Sequence, residues 1–503
     1  MEHSGSERGN RGVKPLGVLL LAVGCALAVT LAQTKSAAAI APVVVVAPVL
    51  VPCHLERLSE EVRCGAHEVF ENREKNSGRR LKIQFAVLEP LRRSTDPDPL
   101  FIFAGGPGQG ARSYGAIAAR FFKKVRRTRA IVLVDLRGTG GSRPLECGIG
   151  EDPLNSLDSL LGGDEMAADC LKSLDADPRQ YTHKDALRDV DEIRQLLGYE
   201  RINLWGGSWG TRAALLYAAT YPNVVRSLVL DGAVPLGMEF PRSVAEDSER
   251  ALDLLVAACS KDKACAAAYP GAKADLGRLL ARLEQKPLTI ETPHPQTGAL
   301  TAVTLGGAAL AEIVRVALYT PSDATRLLRI LLHAGRGNLS PLLAQVVKSA
   351  SSSTDSMALG ATLSILCSED LPLVRNVDFE GEGRNTFVRS GYADAWVARC
   401  KSWAVGPPLE VDAALRLKIP ALILSGQHDP VTPPRWGEAM RRHFPDSVHI
   451  VAPGAAHNAS FSGCMPDLIA EFIERGRGDG IDISCAERIA WPPFVINDAG
   501  EKP

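Results

Sequence analysis

Ile202–Pro222 reads INLWGGSWGTRAALLYAATYP. An apolar run, Ile202–Trp205, leads into the pentapeptide Gly206-Gly207-Ser208-Trp209-Gly210, and a helix-forming run, Thr211–Thr220, leads out. G-x-S-x-G between a strand and a helix is a sharp turn that holds a serine hydroxyl exposed at the top of a sheet. Glycines two residues before and after the serine remove Cβ atoms that would collide where strand and helix approach. The segment predicts a strand–turn–helix with Ser208 as a nucleophile. A glycine-rich loop that merely contains serine is the alternative, and the flanking pattern argues against it.

A serine hydroxyl is a weak nucleophile near neutral pH; it needs a base, and the base needs an orienting acid. On this kind of turn the chain order is serine, then Asp or Glu, then His. Downstream, Pro420–Ser425 (PALILS) reads as a buried strand that runs into Gly426-Gln427-His428-Asp429-Pro430, which puts Asp429 just past a strand end. Ser447–Val451 (SVHIV) reads as the next strand and is followed by PGAAHNAS, with His457 in that loop. Asp429 alone would pass for a turn residue before Pro430, and His457 alone for a surface histidine. Together, in this order and each after a strand, they make the expected acid and base. His428 and His449 rank below His457, because neither occupies a post-strand loop near the end of the chain. Asp231, after the strand pattern VRSLVL, is the reserve acid.

Acyl transfer also needs about two N–H donors where negative charge develops. One belongs to the residue after the nucleophile, Trp209. The other is expected in a glycine-rich loop after an earlier strand: Pro99–Phe103 (PLFIF) precedes AGGPGQGA, and Gly106 is the first choice, with Gly105 and Gly108 behind it. A phosphate-binding loop is disfavoured, since neither G-K-[ST] nor G-x-G-x-x-G occurs there.

AGGPGQG (104–110), VDLRGTGGS (134–142), GGSWGTR, LVLDGAVP (228–235) and SGQHDPVTPP (425–434) together resemble the α/β-hydrolase serine peptidases, specifically the prolyl iminopeptidases and the secreted tripeptidyl aminopeptidases. Residues 181–211 and the block from about residue 404 are most similar to the tripeptidyl branch. One departure is Ala104, where prolyl iminopeptidases often carry histidine. The resemblance implies an α/β-hydrolase fold, a mostly parallel doubly wound sheet with a helical cap insertion, and an aminopeptidase acting near free N-termini through an acyl-enzyme. A carboxylesterase acting on small esters is the alternative; it would use the same core machinery. What separates the two is an anionic site for a substrate α-amine. Glu369 and Asp370, in LCSEDLP, and Glu239, in GMEF, are the candidates, Glu369 first.

Composition is consistent with this. The 503 residues carry a net charge of −1, so nothing points to a nucleic-acid partner. No C-x-x-C or H-E-x-x-H occurs, and neither a metal nor a cofactor is expected. The partner expected is a peptide substrate; oligomeric state is not legible. Arg8, Arg11 and Lys14 precede the apolar run Leu16–Leu31 and then small residues, the pattern of a secretory signal. PVVVVAPVLV follows, so an uncleaved membrane anchor is the other reading. Eleven cysteines suit an oxidising compartment. Removing Cys25 with the signal leaves ten. Connectivity is not deducible from sequence, but neighbour pairing is the simplest scheme: Cys53–Cys64, Cys147–Cys170, Cys259–Cys265, Cys367–Cys400 and Cys464–Cys485.

The expected organisation is a signal peptide at 1–41, an N-terminal extension at 42–79, core at 80–235, helical cap at 236–403, core again at 404–475, and a tail at 476–503. Strand and helix patterns alternate over 80–235, as in a parallel sheet. The Ala/Leu-rich helical spacing of 236–403 is broken by ETPHPQTGALTAVTL, which reads as a hairpin. An insertion placed there is positioned as a lid.

Overall fold

The computed structural model describes residues 50–93, 98–147, 164–293, 297–353, 357–374, 383, 385–389, 391–410, 412 and 414–497. The expected signal segment and Cys25 lie outside these.

The strands are β1 (Val51–Cys53), β2 (Val62–Phe70), β3 (Arg80–Leu88), β4 (Leu100–Phe103), β5 (Ile131–Val134), β6 (Ile202–Gly207), β7 (Val225–Asp231), β8 (Leu288–Pro293), β9 (Leu300–Leu305), β10 (Ala421–Gly426) and β11 (Ser447–Ala452). Nine of them form one sheet in the order β1-β2-β3-β5-β4-β6-β7-β10-β11. From β5 to β11 every neighbour runs parallel, whereas β1, β2 and β3 add antiparallel at one edge. The parallel strands β4, β5, β6 and β10 are buried at every residue. That explains their unbroken apolar runs: both sheet faces are covered, so alternation has no solvent face to serve. This is the expected α/β-hydrolase architecture.

Helices α1 (His183–Leu196) and α2 (Trp209–Thr220) pack on one face, where Leu187, Val190 and Ile193 meet Leu204, Leu228 and Ile423. On the other face Phe122, Leu468 and Phe472 pack with Trp205, Val229 and Leu424. The sheet begins earlier than the sequence suggests. The segment expected as an extension supplies β1 and β2, and Cys53–Cys64 joins these two strands.

Between β7 and β10 the chain forms α3 (Ser243–Lys261), α4 (Ala272–Gln285), α5 (Gly307–Ala317), α6 (Pro321–Gly335), α7 (Ser340–Ser353), α8 (Leu359–Ile365) and α9 (Gly391–Ser402). Along α6, Ala324, Leu327, Leu328, Leu331 and Ala334 are buried, the i, i+3, i+4, i+7 stripe of a helix covering a core. Helices α3 to α7 share their own apolar cluster, distinct from those of the sheet, whereas Leu363 and Ile365 of α8 pack in a cluster with Trp209 and Phe240. β8 and β9 pair as an antiparallel hairpin, as the sequence predicts.

All ten described cysteines are paired, in the neighbour scheme. Five disulfides suit an extracellular or periplasmic protein. Among the described residues no helix is long and apolar enough to cross a membrane. The C-terminal segment, held by Cys464–Cys485, carries Trp491 and Phe494 into the apolar cluster of the cap.

Candidate active site

The candidate residues converge because they follow the C-terminal ends of β4, β6, β10 and β11, where open α/β sheets place their sites. Ser208 caps α2 with φ 54° and ψ −123°, left-handed backbone for a residue with a Cβ. The neighbouring glycines make that turn feasible. A Cβ on Gly206 would lie 2.4 Å from the Gly210 carbonyl oxygen, and one on Gly210 would lie 2.1 Å from that of Phe103. The Ser208 N–H donates to the Asp231 carbonyl at 2.7 Å.

Asp429 is fully buried, and its carboxylate is held by four contacts that fix its direction. The N–H groups of Val431 and Thr432 donate to Oδ1 at 2.8 Å each. The Thr432 hydroxyl donates to Oδ2 at 2.7 Å, and His457 Nδ1 donates to the same oxygen at 2.8 Å. Thr432 Oγ1 also lies 3.1 Å from that ring nitrogen. Burial by itself would depress His457, but the charge and hydrogen bond of Asp429 outweigh it and raise the imidazole above its ordinary value. Burial would likewise raise Asp429, yet His457 and the two backbone donors hold it below the usual carboxylate range. The structure thus yields an oriented imidazole with Nε2 left for a substrate-side proton.

Asp231 does something else. It accepts the N–H groups of Ala459 and Ser460 at 2.8 Å each, tying down the loop that carries His457, and burial pushes it up to about 6. Ser208 and His457 flank this corner: a Cβ on Gly232 would sit 3.4 Å from His457 Cε1. Among the described residues no hydrogen bond joins Ser208 Oγ to His457; such a bond often tightens only with substrate. His449 is occupied elsewhere, by Glu438 at 2.6 Å and Ser425 at 2.9 Å. His428 stacks on Trp491 at 4.0 Å, and burial pushes it down to about 4.

The AGGPGQG loop lies directly over Ser208, since a Cβ on Gly105 would be 3.1 Å from Ser208 Cβ. Gly106, the first-choice donor of this loop, has φ 110° and precedes Pro107. Trp209, the other candidate, opens α2 and packs edge-on against Phe240 at 5.5 Å.

The three carboxylates singled out for a substrate amine are placed differently from one another. Glu369, the first choice, is buried and committed: His183 donates its N–H to Oε1 at 2.8 Å and its Nδ1 to Oε2 at 2.5 Å. Asp370 pairs with Arg212 of the nucleophile's helix at 2.8 Å, and burial pushes it up to about 6. Both are therefore bonded to internal partners in this structure. Glu239 is 43% exposed, pairs with Arg242, and precedes the Phe240 that packs on Trp209. The preference among the three passes to Glu239.

Sequence reasoning missed the contributions of the cap. The His457 N–H donates to the Tyr319 carbonyl at 3.1 Å, and the two rings meet edge-on at 4.9 Å. Arg315, bound through two nitrogens to Glu312, donates to the Tyr319 hydroxyl at 2.8 Å. Thr362 of α8 donates to the Pro107 carbonyl at 2.5 Å, and Ala358 N–H to the Gly108 carbonyl at 3.0 Å. A tyrosine after a Leu/Val-rich helix and a threonine within an apolar one carry no motif, so no local signal points to either.

A family model described as the alpha/beta hydrolase fold matches residues 98–269, and one described as TAP-like protein matches residues 386–485. Serine protease Hip1 of Mycobacterium tuberculosis is 24% identical over 417 residues, covering 75% of this chain and 78% of its own. Proline iminopeptidase of Neisseria meningitidis is 33% identical over 141 residues, 28% of this chain and 34% of its own. The crystal structure of proline iminopeptidase from Mycobacterium smegmatis aligns over 82% of this chain and 98% of its own, at 16% identity and a TM-score of 0.39. The chain has the α/β-hydrolase fold. It is a serine hydrolase, similar to relatives named serine protease and proline iminopeptidase.

Proposed function

We propose that the protein is an exported serine aminopeptidase that cleaves peptides near their free N-termini. The observation that carries this reading is the 2.8 Å bond from His457 Nδ1 to a buried Asp429, beside a serine held in left-handed backbone at the sheet edge. In the proposed reaction Ser208 Oγ attacks the scissile carbonyl while His457 Nε2 accepts its proton. Asp429 stabilises the imidazolium. The N–H groups of Trp209 and Gly106 receive the oxyanion. His457 then gives its proton to the leaving amine, and water repeats the cycle on the acyl-enzyme. Glu239 meets the substrate ammonium near the Trp209–Phe240 wall. The names of the two peptidase relatives support a peptide over an ester, and the five disulfides support export.

The test profiles purified protein against free and N-acetylated mono-, di- and tripeptide chromogenic amides. Free substrates should be turned over and their acetylated forms should fail. Fluorophosphonate should label the wild type and leave Ser208→Ala unlabelled. Equal turnover of free and acetylated peptides would defeat the aminopeptidase reading while sparing the serine chemistry.

A further inference from the structure

We propose that Met357 is an oxidation site through which hydroperoxides inactivate this enzyme, by converting its thioether to a sulfoxide beside the oxyanion loop. The inference rests on the reading of Ser208 as the nucleophile and Gly106 as an oxyanion donor.

Two observations make the site selective. Soft sulfur nucleophiles are the side chains that peroxide attacks, and thiolates react before thioethers. All ten described cysteines are in disulfides, so among the described residues no thiol competes. Of the described methionines, Met238, Met440 and Met465 are buried, Met166 is half-buried, and Met357 is 38% exposed.

Position makes the modification consequential. Gln109 and Met357 form a backbone bridge, Ala358 N–H bonds the Gly108 carbonyl, and Thr362 bonds the Pro107 carbonyl. These contacts clamp residues 357–362 of the cap onto the loop. Met357 Sδ lies 3.0 Å from where a Cβ on Gly106 would be, and that glycine has φ 110°. The thioether is therefore packed on the backbone of the proposed donor.

In the reaction the sulfur lone pair attacks the distal peroxide oxygen and the O–O bond breaks. Sulfur loses two electrons and gains one oxygen, and the peroxide is reduced to water, or to an alcohol for an organic hydroperoxide. The product is polar and a strong hydrogen-bond acceptor. Its oxygen competes for the N–H that the tetrahedral intermediate requires. The lesion is of the kind that methionine sulfoxide reductases reverse.

The experiment treats the full exported protein with graded hydrogen peroxide and follows three quantities on the same samples. These are the fraction of Met357 carrying an added oxygen by peptide mapping, the rate of fluorophosphonate labelling, and kcat on a tripeptide amide. Losing one oxyanion donor typically costs about 100- to 1000-fold in kcat. Labelling and kcat should therefore fall by about that factor in step with Met357 oxidation, with circular dichroism unchanged. Met357→Leu should keep both through the same treatment, and a sulfoxide reductase with a thiol reductant should restore the oxidised wild type. Full oxidation of Met357 with labelling unchanged would overturn the proposal, as would equal loss in Met357→Leu. Failure of the underlying reading looks different: Ser208→Ala would still be labelled by fluorophosphonate before any oxidant is added.

Discussion

Core and cap both bury carboxylates beside the site, and they satisfy them in opposite ways. In the core, Asp429 and Asp231 take backbone N–H groups from adjacent loops, two each, at 2.8 Å. In the cap, Glu369, Asp370 and Glu312 are met by side-chain donors: His183, Arg212 and Arg315. A backbone-held carboxylate keeps its direction and has lone pairs left for a catalytic partner. One held by a side-chain donor is occupied, and functions as a joint. His183 and Arg212 belong to helices of the core, so Glu369 fastens the cap to α1 and Asp370 fastens it to α2, the helix that follows Ser208. Buried charge therefore marks chemistry in one region and attachment in the other.

The sharpest break of this contrast is Asp429→Asn. The wrong histidine tautomer should cost about 10⁴-fold in kcat with stability little changed. Asp231→Asn should lower kcat far less, because it anchors a loop and does not touch the ring nitrogen. Steady-state kinetics on both variants decide this, and the reverse ranking would transfer the acid to Asp231.

Next in size is Glu369→Ala. Leaving the buried His183 N–H donors unsatisfied costs about 1–3 kcal/mol each, read as a fall in unfolding free energy by denaturant titration. The preference for free over acetylated peptides should survive in the fraction that folds. Loss of that preference with full stability would return the amine site to Glu369.

Glu239→Gln should show the opposite profile. A part-exposed charged hydrogen bond supports a loss of about tenfold in kcat/KM on free peptides, with unfolding unchanged and a simple acetyl ester hydrolysed as before. An unaffected peptide rate would remove Glu239 from substrate binding.

The smallest effect expected is a shift of the pH profile. His457 must be neutral to accept a proton, and Asp429 raises its pKa in the folded enzyme. Activity should therefore rise with pH through a midpoint above that of free imidazole, about 6.5. In Asp429→Asn the residual activity should rise at lower pH, since the charge that favours imidazolium is gone. An unmoved midpoint would assign the titration to another group.

Legibility follows the same divide. The G-x-S-x-G turn, the glycine loop after β4 and the two post-strand loops could be read because each is a local event: a strand ends, the backbone turns, and residue types are restricted by that turn. Asp429 was legible for this reason, and so was the hairpin of β8 and β9. The edge strands β1 and β2 were missed because VRCGAHEVF mixes charge and glycine with apolar residues, and its place in the sheet depends on pairing with β3. Glu369 looked available because nothing within LCSEDLP indicates that His183, far away in the chain, occupies both of its oxygens.

By itself the sequence determined the α/β-hydrolase core, the order of its strands' functional loops and the candidate residues on them, since these rest on periodicity and turn chemistry within a few residues. The neighbour pairing of cysteines was the simplest scheme the sequence offered, and the structure adopts it. Only the tertiary structure decided which carboxylates are buried against internal partners and which stays part-exposed. It alone showed that Tyr319 and Thr362 reach down from the cap to the histidine and the glycine loop. The physical reason is that a buried charge takes whatever partner the packing of distant helices brings within about 3 Å, and that distance has no signature in the linear spacing of residues.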